Sequence, residues 1–183
     1  LCLLLTLCQA TAVKAEGEGV QTALKTQAMI IAKRFGGALK PQLKEALQTG
    51  GPAHAIEICS QQAPEIAKTL SEETGWEVKR VSLKARNHTI AQPDQWETGI
   101  LRQFEQQLDA GATFADLNHA ETTAGKFRYM QALMVEPLCL ACHGQQLAPD
   151  VVQRLDQYYP RDQATGYSLG QIRGAFSISK RLP

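Results

Sequence analysis

The chain has 183 residues, 44% of them hydrophobic, and it carries 19 Lys and Arg residues against 18 Asp and Glu residues. This length and hydrophobic content predict one folded domain and exclude a wholly disordered chain. The formal net charge of +1 excludes the strongly basic class of nucleic-acid-binding proteins.

Residues 1–15 are typical of a truncated secretory signal peptide. They start with an apolar stretch that is too short to span a bilayer and end in small residues, which suits a cleavage site after Ala15. Cleavage there would remove Cys2 and Cys8, two of the five cysteines. The expected product is an exported protein of the periplasm, or of another compartment such as the thylakoid lumen, without a membrane-spanning segment.

The remaining residues, 16–183, are predicted to form a single domain that begins with two helices. Apolar residues recur at helical spacing over 20–48 and again over 53–71. Gly50-Gly51-Pro52 predicts a break between the two helices. Gly75 predicts the end of the second helix, because glycine readily adopts a positive φ.

The rest of the chain alternates between predicted strands and helices. Asp94 is a plausible helix N-cap, with Glu97 at the capping-box spacing, and that helix is expected to run to about Leu108. The predicted strands cover 76–84, 112–119, 125–136 and 171–180, and a short helix is predicted over 149–157. Helices followed by antiparallel strands favour the α+β class.

The sequence Cys139-Leu140-Ala141-Cys142-His143 is a C-x-x-C-H motif, which in an exported protein indicates attachment of a c-type haem. Two thiols at this spacing reach the two vinyl groups of one porphyrin, and the histidine that follows lies under the iron. A redox disulfide, a zinc site and a structural disulfide are the alternatives. The first lacks a visible βαβ unit, the second lacks a further ligand nearby, and the third does not explain His143.

Haem c usually has a second axial ligand, and none of the residues after His143 is Met or His. The second ligand is therefore expected upstream. Cys59 lies on an apolar helix face beside Ala55 and Ala63, whose small side chains would let a flat macrocycle approach. That Cys59 is simply a small buried side chain of the core is an equally good interpretation. The candidates are Cys59, His54, His88, His119, Met29, Met130 and Met134.

Two basic residues, Arg80 and Arg86, are candidates to pair with the haem propionates. Lys84 shares a strand face with Arg80 and is a weaker candidate, because a solvated strand face explains it as well. The tyrosines that follow the motif are expected either to line the haem or to pack in the core. They are Tyr158, Tyr159 and Tyr167.

Five segments carry a resemblance to a known family. They are AIEICSQQAPEIA at 55–67, RVSLKARN at 80–87, WETGILRQFE at 96–105, EPLCLACHG at 136–144 and YYPRDQATGYSLGQIRGAFSIS at 158–179. In this order they resemble the exported mono-haem c-type domains with a PAS-like fold, a family first described as a domain of unknown function. The resemblance implies a PAS-like antiparallel sheet with flanking helices and an N-terminal helical hairpin. It also implies one haem c held by Cys139 and Cys142, with His143 and Cys59 as axial ligands.

A His/thiolate pair favours Fe(III) and lowers the reduction potential. If Cys59 leaves the iron on reduction, a site opens for a diatomic gas such as CO, NO or O2. We therefore expect a redox or gas sensor that acts through a separate signalling or redox protein, binds no nucleic acid and is not an enzyme. A low-potential electron-transfer cytochrome and a haem enzyme of sulfur-compound oxidation are the alternatives.

Overall fold

The computed structural model describes the backbone from residue 2 and the side chains from residue 17. The predicted signal peptide therefore lies outside the described side chains and stays a prediction. None of the helices in the described part of the chain combines the length and apolar content that a bilayer crossing requires.

Helix α1 (Cys2–Thr74) consists of two arms that meet at Gly51, whose φ of 72° and ψ of −172° interrupt the helical backbone. We call residues 17–50 the first arm and residues 52–74 the second arm. Arg34 of the first arm forms an ion pair with Glu73 of the second, so the arms fold back on each other. The predicted break and the predicted helical hairpin are both confirmed.

Four antiparallel strands form one sheet in the order β1-β4-β3-β2. The strands are β1 (Glu77–Val81), β2 (Asn118–Thr123), β3 (Lys126–Met134) and β4 (Ile172–Arg181). The remaining helices are α2 (Gln95–Asp109), α3 (Leu140–His143) and α4 (Pro149–Tyr158), and single 3-10 turns cover Phe114–Asp116 and Pro137–Cys139. The α+β prediction is confirmed.

Several strand boundaries differ from the sequence prediction, such as the end of β2 at Thr123 instead of 119. Local side-chain hydrogen bonds explain two of the differences. β1 ends at Val81 because the Ser82 hydroxyl accepts a hydrogen bond from the Lys84 N–H (3.1 Å), which turns the chain. The start of the predicted strand 112–119 is a 3-10 turn instead. There the Asp116 carboxylate accepts from the Thr113 hydroxyl at 2.6 Å.

Both faces of the sheet are covered. On the face toward α1, Phe127 and Tyr129 of β3 pack with Phe35 and with the rest of one buried cluster. On the face toward α2, Met130 and Ala132 pack in a second cluster. This alternation along β3 is the period of two that a strand imposes, and it separates two environments with different chemistry.

The face toward α2 contains a buried carboxylate, Glu97, whose side chain is fully shielded from solvent. It accepts hydrogen bonds from the Asp94 N–H (2.8 Å) and the Ser177 hydroxyl (2.6 Å). It also forms ion pairs with Lys79 at 3.0 Å and Arg128 at 3.4 Å. The Asp94 side chain in turn accepts from the Glu97 N–H, so the predicted capping box is confirmed.

Candidate functional site

A cavity of about 1160 Å³ lies between the two arms of α1 and the adjacent face of the sheet. This volume is at the upper end of what small-molecule and cofactor sites enclose. The structure brings all of the site residues predicted from the sequence to its wall. They are Cys59, Arg80, Arg86, Cys139, Cys142 and His143.

His143 ends helix α3 and has a defined hydrogen-bond partner. Its Nδ1 lies 2.7 Å from the carbonyl oxygen of Ala164, and because a carbonyl only accepts, Nδ1 carries the proton and donates it. Burial, followed by the nearby positive charges of Arg173 and Arg86, lowers the pKa of His143 well below its usual value. The imidazole is therefore neutral near pH 7, and its Nε2 lone pair is left for a metal.

Backbone hydrogen bonds hold the chain beside His143 against the loop that contains Ala164. The Tyr167 N–H donates to the His143 carbonyl and the Gly166 N–H donates to the Gly144 carbonyl, each at 2.9 Å. A Cβ at position 144 would lie 2.5 Å from the Leu140 carbonyl oxygen, so glycine is required immediately after the motif histidine. These contacts fix the position of the imidazole.

Arg86 stabilises the same loop from the other side. Its guanidinium donates to the carbonyl oxygens of Cys142 and of Ala164, the latter at 3.2 Å. It also forms an ion pair with Asp162 at 3.1 Å, in which both side chains are largely buried. The Arg86 side chain therefore has three protein partners, and its predicted pairing with a propionate stays a prediction.

Lys84 is similarly engaged with the loop after Ala164. Its Nζ donates to the Thr165 carbonyl at 2.5 Å and lies 4.5 Å from the centre of the Tyr167 ring. Tyr159 lines the cavity, and both Tyr158 and Tyr159 pack against a satellite cluster beneath α4. Tyr167 contacts the His143 ring edge-on, with ring centres 6.3 Å apart.

The second arm of α1 places Cys59 at the cavity wall between two small residues. Ala55 and Ala63 are both buried and both line the cavity. Burial raises the pKa of the Cys59 thiol, while the positive charges of Arg80 and Arg173 oppose that effect. The net effect is a raised pKa, so Cys59 is a neutral thiol in the absence of a ligand, and the arginines offset part of the cost of a thiolate there.

The other candidate axial ligands divide into two groups. Met29 and Met134 also line the cavity. Met130 is buried in the cluster toward α2, and His119 lies on β2 beside Trp96, with ring centres 5.9 Å apart. His54 and His88 do not contribute to the cavity wall.

Arg173 is a cavity residue that the sequence did not indicate. In the β3–β4 register Leu133 pairs with Gly174 and Met134 pairs with Ile172, which leaves Arg173 as the extra residue of a β-bulge. A bulge redirects a side chain relative to simple alternation. The signal that could have found it is the glycine inside a predicted strand.

Gly174 is what permits this bulge. Its φ is 154°, a value that side-chain-bearing residues rarely adopt, and a Cβ there would collide with the Val81 carbonyl oxygen. Arg173 is fixed at its backbone as well, because its carbonyl accepts a hydrogen bond from the Ser82 hydroxyl at 2.6 Å. The bulge is therefore a rigid feature of the site.

The residues present fit a haem c better than a bare metal ion. Two thiols precede a neutral imidazole, a third thiol faces the same cavity, and seven basic residues against one acidic residue line it among the described residues. This charge suits a porphyrin with two carboxylates. Within the part of the chain that the structure describes, no group of three or more His, Cys, Asp or Glu side chains is arranged to hold a metal ion alone.

Comparisons with known proteins agree with this fold. The sequence profile of the Tll0287-like family (Tll0287) matches residues 9–180. The crystal structure of the cyanobacterial haem protein Tll0287 is similar, with a TM-score of 0.60 and 23% sequence identity, over 91% of this chain and 95% of that one. No curated protein matches the chain in sequence. The predicted PAS-like fold is confirmed by this structural likeness.

Proposed function

The chain belongs to the Tll0287-like family, and from its site we propose that it binds one haem c, attached covalently through Cys139 and Cys142. His143 and Cys59 are the proposed axial ligands of the iron. The observation that carries the proposal is the 2.7 Å hydrogen bond from His143 Nδ1 to the Ala164 carbonyl. It leaves Nε2 unprotonated, and Nε2 is the atom that a proximal histidine uses.

When bound, the haem supplies one-electron redox chemistry and a binding position for a diatomic molecule. The chain's own residues determine how the two oxidation states differ. A Cys59 thiolate favours Fe(III), because it adds a negative charge beside the metal. Arg80 and Arg173 lower the cost of that charge, since both lie near the thiol.

We propose that the protein is a sensor of redox state or of a diatomic gas such as CO, NO or O2, and not an enzyme. Cys59 belongs to the second arm of α1, so breaking its bond to the iron would release a helix that packs on the sheet. Such a two-state element can transmit a signal to a separate protein. The apolar segment at 1–15 supports an exported location such as the periplasm.

A second candidate function is low-potential electron transfer. It is favoured by the position of Cys59 and His143 on one cavity, because a His/thiolate pair that stays bound in both oxidation states gives a low potential. Met29 and Met134 also line the cavity and would instead give a His/Met pair, which raises the potential. A carrier of this kind keeps both axial ligands in both oxidation states. The sensor proposal requires instead that Cys59 is a ligand of the ferric form and is lost or displaced in the ferrous form.

Optical spectra test these proposals, recorded on oxidised and reduced protein with and without CO. The variants are Cys59→Ala and, as a matched control on the same helix, Ser60→Ala, whose hydroxyl bonds only locally to the Glu57 carbonyl at 2.7 Å. Cys59→Ala is expected to change the ferric spectrum, and Ser60→Ala is expected to leave it unchanged.

An unaltered ferric spectrum in Cys59→Ala would show that the thiolate ligation is wrong. Reduced wild-type protein that remains six-coordinate and ignores CO would contradict gas sensing. Combined with a change of spectrum in Met134→Leu, that result would favour the electron carrier.

A further inference from the structure

We propose that Arg80 and Arg173 together bind the two propionate carboxylates of the cofactor, while Arg86 positions the motif loop and does not contact the propionates. This inference rests on the proposed haem function. It assigns a role to Arg173, which neither the motif nor strand alternation indicates.

The two arginines reach the cavity from neighbouring strands. Arg80 is on β1, on the same face as Val78, and its guanidinium lies 5.2 Å from the centre of the Phe35 ring. Arg173 comes from β4, which pairs with β1, and the bulge turns its side chain to the same cavity. Two forked guanidinium groups therefore converge beside Cys59.

Neither guanidinium has a partner of opposite charge within the described part of the chain. Among residues 17–183, Arg80 and Arg173 form no ion pair and their side chains donate no hydrogen bond, although both are half-buried. Two other basic residues that line the cavity do have carboxylate partners, Lys40 with Glu136 and Arg86 with Asp162. Lys79 also reaches the cavity wall, but its ammonium group pairs with Glu97 on the opposite face of the sheet.

The missing partner must be an anion that enters with the ligand. Burial, followed by the positive charge of Arg173, lowers the pKa of Arg80 to about 10, so the charged form of Arg80 is disfavoured in the cavity. A buried charge that lacks a partner is costly, and an added carboxylate removes that cost. The planar fork of arginine matches a carboxylate in two parallel hydrogen bonds, and a porphyrin provides two carboxylates.

Redox difference infrared spectra of the haem-loaded protein test this assignment, with the haem isotopically labelled at its propionate carboxyl carbons. The label separates the propionate bands from those of a free carboxylate ligand or of protein carboxylates. Arg80→Gln and Arg173→Gln are each expected to shift the labelled band. Arg86→Gln is expected to leave it in place, as is the control Arg102→Gln on the exposed side of α2.

The reduction potential gives a second measurement. Loss of a positive charge near the iron favours Fe(III), so at a fixed applied potential the ratio of reduced to oxidised Arg173→Gln should fall, on the order of tenfold. Arg173→Lys keeps the charge but loses the fork, so it should keep the potential and still shift the labelled band. The lysine variants of both positions also provide folded protein if the glutamine variants do not fold.

An unshifted labelled band in the Arg80 and Arg173 variants would overturn the assignment, as would an equal shift in Arg86→Gln. Either result would leave the haem function intact. Wild-type protein that carries no covalent haem would overturn both this inference and the proposed function.

Discussion

On the face of the sheet toward α2, the buried carboxylate of Glu97 has four partners in the protein. On the face toward α1, Arg80 and Arg173 have no charged partner among residues 17–183. The contrast holds even for two consecutive residues of β1. The Lys79 side chain pairs with Glu97, and the Arg80 side chain points into the cavity. The difference separates structural charges, which are satisfied within the chain, from charges that are available to a ligand.

Whether a charged side chain has a partner within the chain therefore helps to distinguish structural residues from ligand-binding residues. A closed network such as that of Glu97 stabilises the fold and needs no further molecule. An open set of like charges beside a cavity destabilises the protein until an anion pairs with it. Substitutions on the two faces should therefore have different consequences, with loss of stability on one face and loss of cofactor properties on the other.

The largest effect is expected for the double substitution of Cys139 and Cys142 by serine, which removes both thiols that attach the haem. Covalently bound haem should be lost completely, as measured by haem staining after denaturing electrophoresis. Cys59→Ser is the control, because an axial ligand forms no thioether, and it should keep the stain. Staining of the double variant at the wild-type level would refute attachment through the motif.

Glu97→Ala should have the largest effect on stability. It leaves the buried charges of Lys79 and Arg128 without their carboxylate, and the expected cost is about 3 kcal/mol of unfolding free energy in urea titrations. Glu105→Gln on the same helix is the control, because Glu105 is exposed. The haem spectrum of the folded Glu97→Ala protein should match that of the wild type. A changed spectrum would contradict the view that charges on the face toward α2 serve stability only.

Gly174→Ala should cost less stability, about 2 kcal/mol, because it places a Cβ against the Val81 carbonyl in a strained backbone conformation. It should also displace Arg173 and so lower the reduction potential. Gly99→Ala in α2 is the control, since nothing lies within 4 Å of a Cβ there, Gly99 does not line the cavity and the helix should gain stability. A Gly174→Ala protein with wild-type stability would contradict the rigid bulge.

The smallest expected effect concerns Asp94 and pH. Burial raises the pKa of Asp94, but hydrogen bonds from the Glu97 N–H and from Arg128 outweigh that effect and lower the pKa below its usual value of 3.8. A lowered folded-state pKa gives stability that is present above the unfolded value and is lost as pH falls through the folded value. The urea midpoint of the wild type should therefore fall more steeply below pH 4 than that of Asp94→Asn, and parallel curves would refute this contribution.

The features that were predicted correctly from the sequence are those that depend on local contacts. The capping box at Asp94 and Glu97 needs residues only three apart, and the break at Gly51 needs only a glycine at a positive φ, so both were predicted correctly. The cysteines and the histidine of the motif likewise occupy one short segment. The end of β1 at Val81 was misjudged, because a single hydroxyl contact at Ser82 outweighed the apolar pattern.

The sequence alone determined the type and order of most elements, the α+β class and the three motif residues that direct the haem proposal, because those depend on spacing along the chain. Only the tertiary structure placed Cys59 and the motif on one cavity and matched His143 with the Ala164 carbonyl. Only the pairing of β3 with β4 made Arg173 a bulge residue. These contacts join residues that are distant in sequence, so they depend on register and packing, which no local pattern contains.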